Sequence, residues 1–342
     1  MADARLWHCP TGARSFFLAL LAALRLTAGQ RSLHWVIRAS SLEATLDFTE
    51  KVLGMTLLRH EENEAACPIT CNGAFDTAWS KTMVGYGPED RTFTLELTYN
   101  YGIERYLKGE GLQRFVLLLP DVGSALARAT DRGYAVQALE DGEEGGLVTG
   151  PDSYVYELRD RDSQPGRVEQ FASVVLRTSD VELLADWYVD VLGMTEDWTC
   201  GQGGAEGSSV CLHFADVLEP VSFVIEPTAD RRAPRITEWE GRNAMALPEA
   251  QIRAISAQIA PQLVIHELRE LREKLGTLVI LIIRDPAGFE ICLVSSETFD
   301  PSVRQLTDYV RPNWLQRKAA HHERLASQTS KPDWLARQSE EL

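Results

Sequence analysis

The 342-residue chain has no hydrophobic run of the roughly 20 residues that a membrane-spanning helix needs. Hydrophobic residues make up 44% of the sequence and charged residues 25%, as in an average globular protein. These figures exclude a polytopic membrane protein and a fully disordered chain. The length exceeds one typical core of about 100–150 residues, which predicts about two packed units.

Positive charge is scarce, because 34 basic residues face 50 acidic ones and the net charge is −16. A surface this acidic repels phosphate backbones and anionic lipid. We therefore expect neither a nucleic acid nor a membrane as partner.

Cysteines are few, and no asparagine begins an Asn-x-Ser/Thr acceptor site for glycosylation. The six cysteines are scattered through the chain: Cys9, Cys67, Cys71, Cys200, Cys211 and Cys292. This pattern is not that of a small secreted domain built on disulfides. Cys67 and Cys71 are four residues apart, but no second cysteine or histidine pair lies nearby in sequence, so a zinc site is not predicted.

The N-terminal 31 residues carry an apolar run, FFLALLAAL from Phe16, together with four arginines and one acidic residue. The run is too short to span a bilayer and lies where a cleavable targeting signal would lie. A secretory signal fits the apolar run, whereas an organelle transit segment fits the arginines. We favour a mitochondrial address, with a cytoplasmic location if the segment is not a signal but an extension without function.

An internal repeat organises the rest of the chain. DFTEKVLGMT (Asp47–Thr56) recurs as DWYVDVLGMT (Asp186–Thr195), each an expected helix that stops at the glycine. QRFVLLLP (Gln113–Pro120) likewise matches GRNAMALP (Gly241–Pro248), and a helix is expected after each, the second from Ala250 to about Lys274. The repeats predict four similar pieces of strand, helix and strands.

The predicted fold is therefore α+β, with four such modules forming two pseudo-symmetric halves. The first half covers residues 32–165 and the second 166–298. Residues 1–31 precede the folded body, and residues 299–342 form a polar tail that is a candidate contact for a protein partner.

Three ordered stretches resemble the βαβββ module of the vicinal oxygen chelate superfamily, specifically its glyoxalase I branch: 33–62, WSKTMVGYGPED from Trp79 and LELTYNYG from Leu95. CNGAFDTAWSKTMVGYGPED from Cys71 and KPDWLAR from Lys331 more narrowly resemble the family called glyoxalase domain-containing protein 4. The resemblance implies a cupped barrel made of paired modules. It also implies a divalent metal, zinc or nickel, held by four side chains from first and last strands.

The positions of the four metal ligands in the family, called ligand slots here, can be carried over to this sequence one at a time. In the first half, three of the four slots hold the expected residue type: His34, Glu96 and Glu157. The fourth slot, a histidine in the metal enzymes, is occupied by Arg114. In the second half the slots fall on Ser173, Glu226, Arg242 and Cys292. The sequence does not decide whether module one pairs with module two or with module four, but an arginine, Arg114 or Arg242, fills the slot in either case.

An arginine in a ligand slot opposes a metal. At about 4 Å, a guanidinium would repel a dication by roughly 8 kcal/mol at an effective dielectric constant of about 20. The planar guanidinium instead suits pairing with glutamates such as Glu96 and Glu157. Gln113 is adjacent and could serve as a ligand only if a bulge turned its side chain to the same face.

Two further positions match the residues with which glyoxalase I-like enzymes hold glutathione. Arg38 follows His34 by four residues, and Asn100 follows Glu96 by four. Arg177 repeats Arg38 in the second half, so a structural salt bridge at the strand end remains an alternative.

These residues support two functions. The first is a glyoxalase-like protein with an impaired metal site, which binds a small molecule or a protein partner without established turnover. The alternative is a lactoylglutathione lyase that uses a metal on His34, Glu96 and Glu157, acts on the methylglyoxal–glutathione adduct and takes Glu157 as the proton-shuttling base. Whether the protein is an enzyme is left open at this point.

Overall fold

A computed structural model of the chain describes residues 29–164, 166–198, 200, 209–304 and 319. Outside these residues lie the apolar run of the expected targeting signal and, apart from residue 319, the tail beyond Arg304. The mitochondrial address and the partner contact through the tail therefore stay predictions. In the described part of the chain, no helix is both long enough and apolar enough to cross a membrane.

Each of the four predicted modules consists of one strand, one helix and three further strands, as expected. The first contains β1 (Arg31–Arg38), α1 (Leu42–Asp47), β2 (Thr56–Asn63), β3 (Trp79–Gly85) and β4 (Thr94–Asn100). The second contains β5 (Leu112–Leu119), α2 (Val122–Asp131), β6 (Ala135–Ala138), β7 (Gly145–Thr149) and β8 (Val155–Asp160). The third contains β9 (Phe171–Thr178), α3 (Val181–Trp187), β10 (Thr195–Asp197), β11 (Val210–His213) and β12 (Ser222–Pro227). The fourth contains β13 (Arg242–Leu247), α4 (Glu249–Gln258), β14 (Val264–Glu273), β15 (Gly276–Arg284) and β16 (Glu290–Ser295).

The two repeated helices begin and end where the sequence indicates. The side chains of Ser41 and Asp180 accept backbone N–H bonds from the first turns of α1 and α3. Both helices continue into a π-helical turn, and the chain then reverses at Gly54 and Gly193, which have φ angles of 74° and 73°. A left-handed backbone of this kind strains residues other than glycine, so the predicted helix stops are confirmed.

The expected helix from Ala250 to about Lys274 is wrong over its second half. Helix α4 ends at Gln258, and Val264–Glu273 forms β14, which pairs with β15 as an antiparallel hairpin. Pro261 follows the end of α4 and interrupts the helical ladder. The segment HELRELREK has good helix formers, but pairing with the apolar strand β15 overrides this local preference.

A last helix, α5 (Ser296–Arg304), extends the folded body beyond the predicted boundary at residue 298. Two ion pairs attach it to the first module: Asp300 lies 2.6 Å from Arg31, and Arg304 lies 2.5 Å from Asp90. The first residues of the predicted tail are therefore part of the body.

The strands form two eight-stranded sheets, which settle how the modules pair. In sheet A the order is β14-β15-β16-β13-β1-β4-β3-β2, so it joins modules four and one. In sheet B the order is β10-β11-β12-β9-β5-β8-β7-β6, so it joins modules three and two. The modules meet through antiparallel pairs of first strands, β1 with β13 and β5 with β9. The division at residues 165 and 166 thus describes the repeat in the sequence, whereas each sheet combines modules from both halves.

One large apolar cluster packs the two sheets and the helices together. At its centre, the Trp35 ring lies 6.3 Å from the rings of Phe115 and Phe223 and 6.4 Å from that of Phe289. Side chains alternate between the two faces of a sheet along each strand. The residues adjacent in sequence to Trp35 and to the other core residues therefore point to the opposite face. That opposite face of each sheet, called the far face below, carries the predicted site residues.

The described residues contain two disulfides, which the cysteine spacing did not predict. Cys67 is bonded to Cys71 and Cys200 to Cys211, while Cys292 is a free thiol.

Candidate functional site

The eight predicted ligand slots lie on the far faces as two groups of four. Sheet A carries His34, Glu96, Arg242 and Cys292. Sheet B carries Ser173, Glu226, Arg114 and Glu157. The structure therefore corrects the expected ligand set, since Glu157 belongs to sheet B and does not join His34 and Glu96.

Glu96 forms the centre of the group in sheet A. Its Oε2 lies 3.3 Å from His34 Nε2 and 3.4 Å from Lys81 Nζ, and its Oε1 accepts a 3.3 Å bond from the Thr98 hydroxyl. Burial by itself would raise the pKa of Glu96, but the charge of Lys81 and the contact with His34 outweigh it, and the pKa is lowered. Glu96 is thus a buried carboxylate whose charge is already neutralised by the protein.

Arg242 pairs with Glu290, the first residue of β16. Its Nη2 and Nε donate to Glu290 at 2.7 and 3.1 Å, while Nη1 donates to the Ile69 carbonyl and Nη2 to the Thr70 carbonyl, each at 3.2 Å. Cys292 is partly buried, and burial raises the pKa of its thiol. The arginine slot is therefore occupied by a guanidinium that holds both a neighbouring strand and a loop.

Arg114 connects the two carboxylates of the group in sheet B. Its Nε donates to Glu157 at 2.6 Å and its Nη2 to Glu226 at 3.1 Å. Arg159 binds the other oxygen of Glu157 at 2.5 Å, and Arg177 lies 3.5 Å from Glu226. Burial would lower the pKa of Arg114, but Glu226 and Glu157 raise it above its usual value. An alternating network of guanidinium and carboxylate groups fills this site.

The donors on either sheet do not fit a divalent metal. Nowhere in the described part of the chain do three side chains of His, Cys, Asp or Glu come together in a metal-binding group. In each sheet the carboxylates contact cationic side chains, with which a dication would have to compete. In each group one of the four slots is occupied by a cation, Arg242 in sheet A and Arg114 in sheet B.

The predicted substrate residue Arg38 is enclosed by protein, with only 1% of its surface exposed. Its guanidinium donates to the carbonyls of Cys71 at 2.9 Å and Glu238 at 3.3 Å. Its backbone N–H donates to the hydroxyl of Tyr154 at 2.8 Å. These contacts join three modules, which favours the structural alternative for Arg38.

Asn100 is also buried and bonded within the protein. Its Nδ2 donates to the carbonyl of Asn72 at 2.9 Å, and its Oδ1 accepts from Asn72 Nδ2 at 2.9 Å. A third bond, of 3.1 Å, reaches the hydroxyl of Tyr106. The side chain of Asn100 thus positions a loop, and its role toward glutathione stays a prediction.

Sequence reasoning missed Lys81 and Glu290, which balance the charges in sheet A. Glu290 lies two residues before Cys292, and the period of two along a strand could have placed it on the far face. Lys81 had no comparable signal, because it reaches Glu96 through the register between β3 and β4.

Comparison with known proteins agrees with this architecture. The sequence matches the Glyoxalase/Bleomycin resistance protein/Dioxygenase superfamily over residues 31–160 and 170–293. It is 31% identical to glyoxalase domain-containing protein 4 of Mus musculus over 82% of this chain and 92% of that protein. It is also 31% identical to glyoxalase 1 of Caenorhabditis briggsae over 79% of this chain and 89% of that protein. The crystal structure of glyoxalase I from Zea mays superposes with a TM-score of 0.62 at 20% identity, covering 82% of this chain and 97% of that one.

Proposed function

The chain belongs to the glyoxalase/bleomycin resistance protein/dioxygenase superfamily, and we propose that it is a small-molecule-binding member whose metal site has been replaced by arginine–glutamate pairs. The observation that carries the proposal is the position of Arg114, which bonds both Glu157 and Glu226 on sheet B. A fixed positive charge neutralises these carboxylates from within, so they have no need of a cation.

The far face of sheet B is the proposed ligand site. Arg177 is the counterpart of Arg38 in the repeat, but its side chain is 45% exposed and its contact with Glu226 is 3.5 Å long. A guanidinium at such a position can bind a ligand carboxylate in bidentate fashion. We therefore expect an anionic small molecule, with a glutathione adduct as the first ligand to test.

Metal binding tests the proposal directly. After chelation and reconstitution with Ni²⁺, Zn²⁺ or Co²⁺, the wild-type protein is expected to retain far less than one equivalent of metal by elemental analysis. Arg114→His should bind metal more tightly, because it removes the repelling charge and places an imidazole beside Glu157 and Glu226. Arg177→His is the matched control: it also replaces an arginine near Glu226, but an exposed one outside the four slots, and is expected to change metal affinity little.

The lactoylglutathione lyase alternative predicts the opposite result. Wild-type protein would then take up a full equivalent of metal and isomerise the methylglyoxal–glutathione adduct, and Glu157→Gln would abolish turnover. Loss of turnover in Glu96→Gln would instead place the reaction on sheet A. Either pattern, or an unchanged metal affinity in Arg114→His, would contradict the proposed function.

A further inference from the structure

The loop between β2 and β3, residues 64–78, crosses the far face of sheet A and is called the cap segment here. Arg242 on β13 donates to the Ile69 and Thr70 carbonyls at 3.2 Å and to the Thr70 hydroxyl at 2.9 Å. The same hydroxyl lies 3.0 Å from Nε2 of His266 on β14. Ile69 and Thr70, in the middle of the cap segment, are thus bonded to the module-four part of the sheet.

The next two residues of the cap segment are bonded to the module-one part of the sheet. Arg38 on β1 donates to the Cys71 carbonyl, and Asn100 on β4 donates to the Asn72 carbonyl, both at 2.9 Å. Because β13, β1 and β4 are consecutive neighbours, these anchors place the segment over the middle of sheet A.

The cap segment also inserts an apolar side chain. Ile69 packs against a separate apolar cluster on the far face of sheet A, and Cys292 contacts the same cluster. The buried members of that cluster are Leu33, Ala244, Ala246, Ile280, Ile282 and Val294. Departure of the segment would therefore uncover the apolar cluster beside the Cys292 thiol.

The folded form of the cap segment depends on a local restraint. Thr70 has a φ angle of 53°, a left-handed conformation that is unfavourable for a β-branched residue. The disulfide between Cys67 and Cys71 encloses Thr70 in a short ring, and Asn72 accepts the backbone N–H of Cys67 at 3.0 Å. Opening the disulfide would remove the covalent part of this restraint.

We propose that the Cys67–Cys71 disulfide is a redox latch that holds the cap segment over sheet A. A dithiol reductant, small or protein-borne, attacks one sulfur through its thiolate and forms a mixed disulfide, which its second thiol resolves. Cys67 and Cys71 gain two electrons and two protons and become thiols, while the reductant becomes a disulfide. The cap segment then leaves the far face and opens the His34, Glu96 and Cys292 region to small molecules. This proposal does not depend on whether sheet B binds a ligand.

The rate at which Cys292 is alkylated reports whether the cap segment is closed or open. Oxidised wild-type protein, protein reduced with dithiothreitol, and Cys67→Ser/Cys71→Ser are treated with N-ethylmaleimide, and the Cys292 peptide is quantified by mass spectrometry. We expect the reduced protein and the double variant to react at least about tenfold faster than the oxidised protein, because the opening equilibrium sets thiol access. Circular dichroism and urea midpoints establish that each form is folded.

The second disulfide supplies the matched control. Cys200→Ser/Cys211→Ser also removes one disulfide, but Cys292 should keep the slow rate of oxidised wild type until dithiothreitol is added. Equal rates in the oxidised and reduced forms of this variant would overturn the proposal. The proposal would also be overturned if Cys200→Ser/Cys211→Ser reacted as fast before reduction as Cys67→Ser/Cys71→Ser does. Loss of either disulfide would then have the same effect, and the effect would not belong to the latch.

Discussion

Arg38→Met is expected to lower the free energy of unfolding by about 3–5 kcal/mol, because it leaves buried carbonyl groups without a donor. The Cys71 and Glu238 carbonyls both accept bonds from this guanidinium, and almost none of its surface reaches solvent. Urea denaturation at neutral pH, compared with wild type through the midpoint and slope, measures the loss.

Arg177→Met is the matched control, since Arg177 occupies the equivalent position of the third module. Its side chain is exposed and its ion pair with Glu226 is long, so the loss should be below about 1 kcal/mol. If Arg38→Met unfolded at the wild-type midpoint but weakened the binding of a glutathione adduct, the structural assignment of Arg38 would be wrong and the substrate role predicted from sequence would stand.

Asp285→Asn is expected to abolish most of the loss of stability that the wild-type protein shows between about pH 5 and about pH 8. The carboxylate of Asp285 accepts backbone N–H bonds from Ala287, Gly288 and Phe289 at 2.8–3.0 Å and a 3.0 Å bond from the Tyr188 hydroxyl. Burial raises the pKa of Asp285 from 3.8 to about 7, although these hydrogen bonds act in the lowering direction. Asparagine keeps the acceptor oxygen without the charge.

The direction of the pH effect follows from proton binding. Since the folded protein holds the Asp285 proton more tightly than the unfolded chain, stability is highest below about pH 4 for this group and falls as the pH rises through about 7. A pKa change of this size corresponds to roughly 4 kcal/mol. Glu169 and Glu240, whose pKa values are also raised by burial, leave a smaller pH dependence in the variant.

Urea midpoints at the two pH values test this expectation, with Asp230→Asn as the control because Asp230 lies on the surface. We expect Asp285→Asn to be more stable than wild type at the higher pH, and Asp230→Asn to follow wild type at both. A variant as pH-dependent as wild type would show that Asp285 is ionised throughout this range.

Part of the candidate site could be read from the sequence. The repeat predicted the modules, and the resemblance to the glyoxalase I branch placed Arg114 and Arg242 in ligand slots whichever modules paired. Prediction from the sequence failed where the partners of a side chain come from distant segments of the chain. The sequence offered Glu96 and Glu157 as partners of Arg114, whereas the structure places Arg114 beside Glu157 and Glu226. Lys81 reaches Glu96 only through strand register. The hairpin of β14 and β15 was missed for a similar reason, because its local sequence favours a helix.

The sequence by itself determined the number of modules, the helix ends at Gly54 and Gly193 and the arginine in each set of ligand slots. The modules and helix ends follow from short-range patterns, namely strand and helix periods and glycine conformations, whereas the ligand slots follow from the resemblance to the glyoxalase I branch. Only the tertiary structure decided that module one pairs with module four, that Glu157 is separated from His34, and that residues 64–78 cover sheet A. These features depend on which strands meet and which charges neutralise each other across them. Both are determined by residues that lie far apart in the chain.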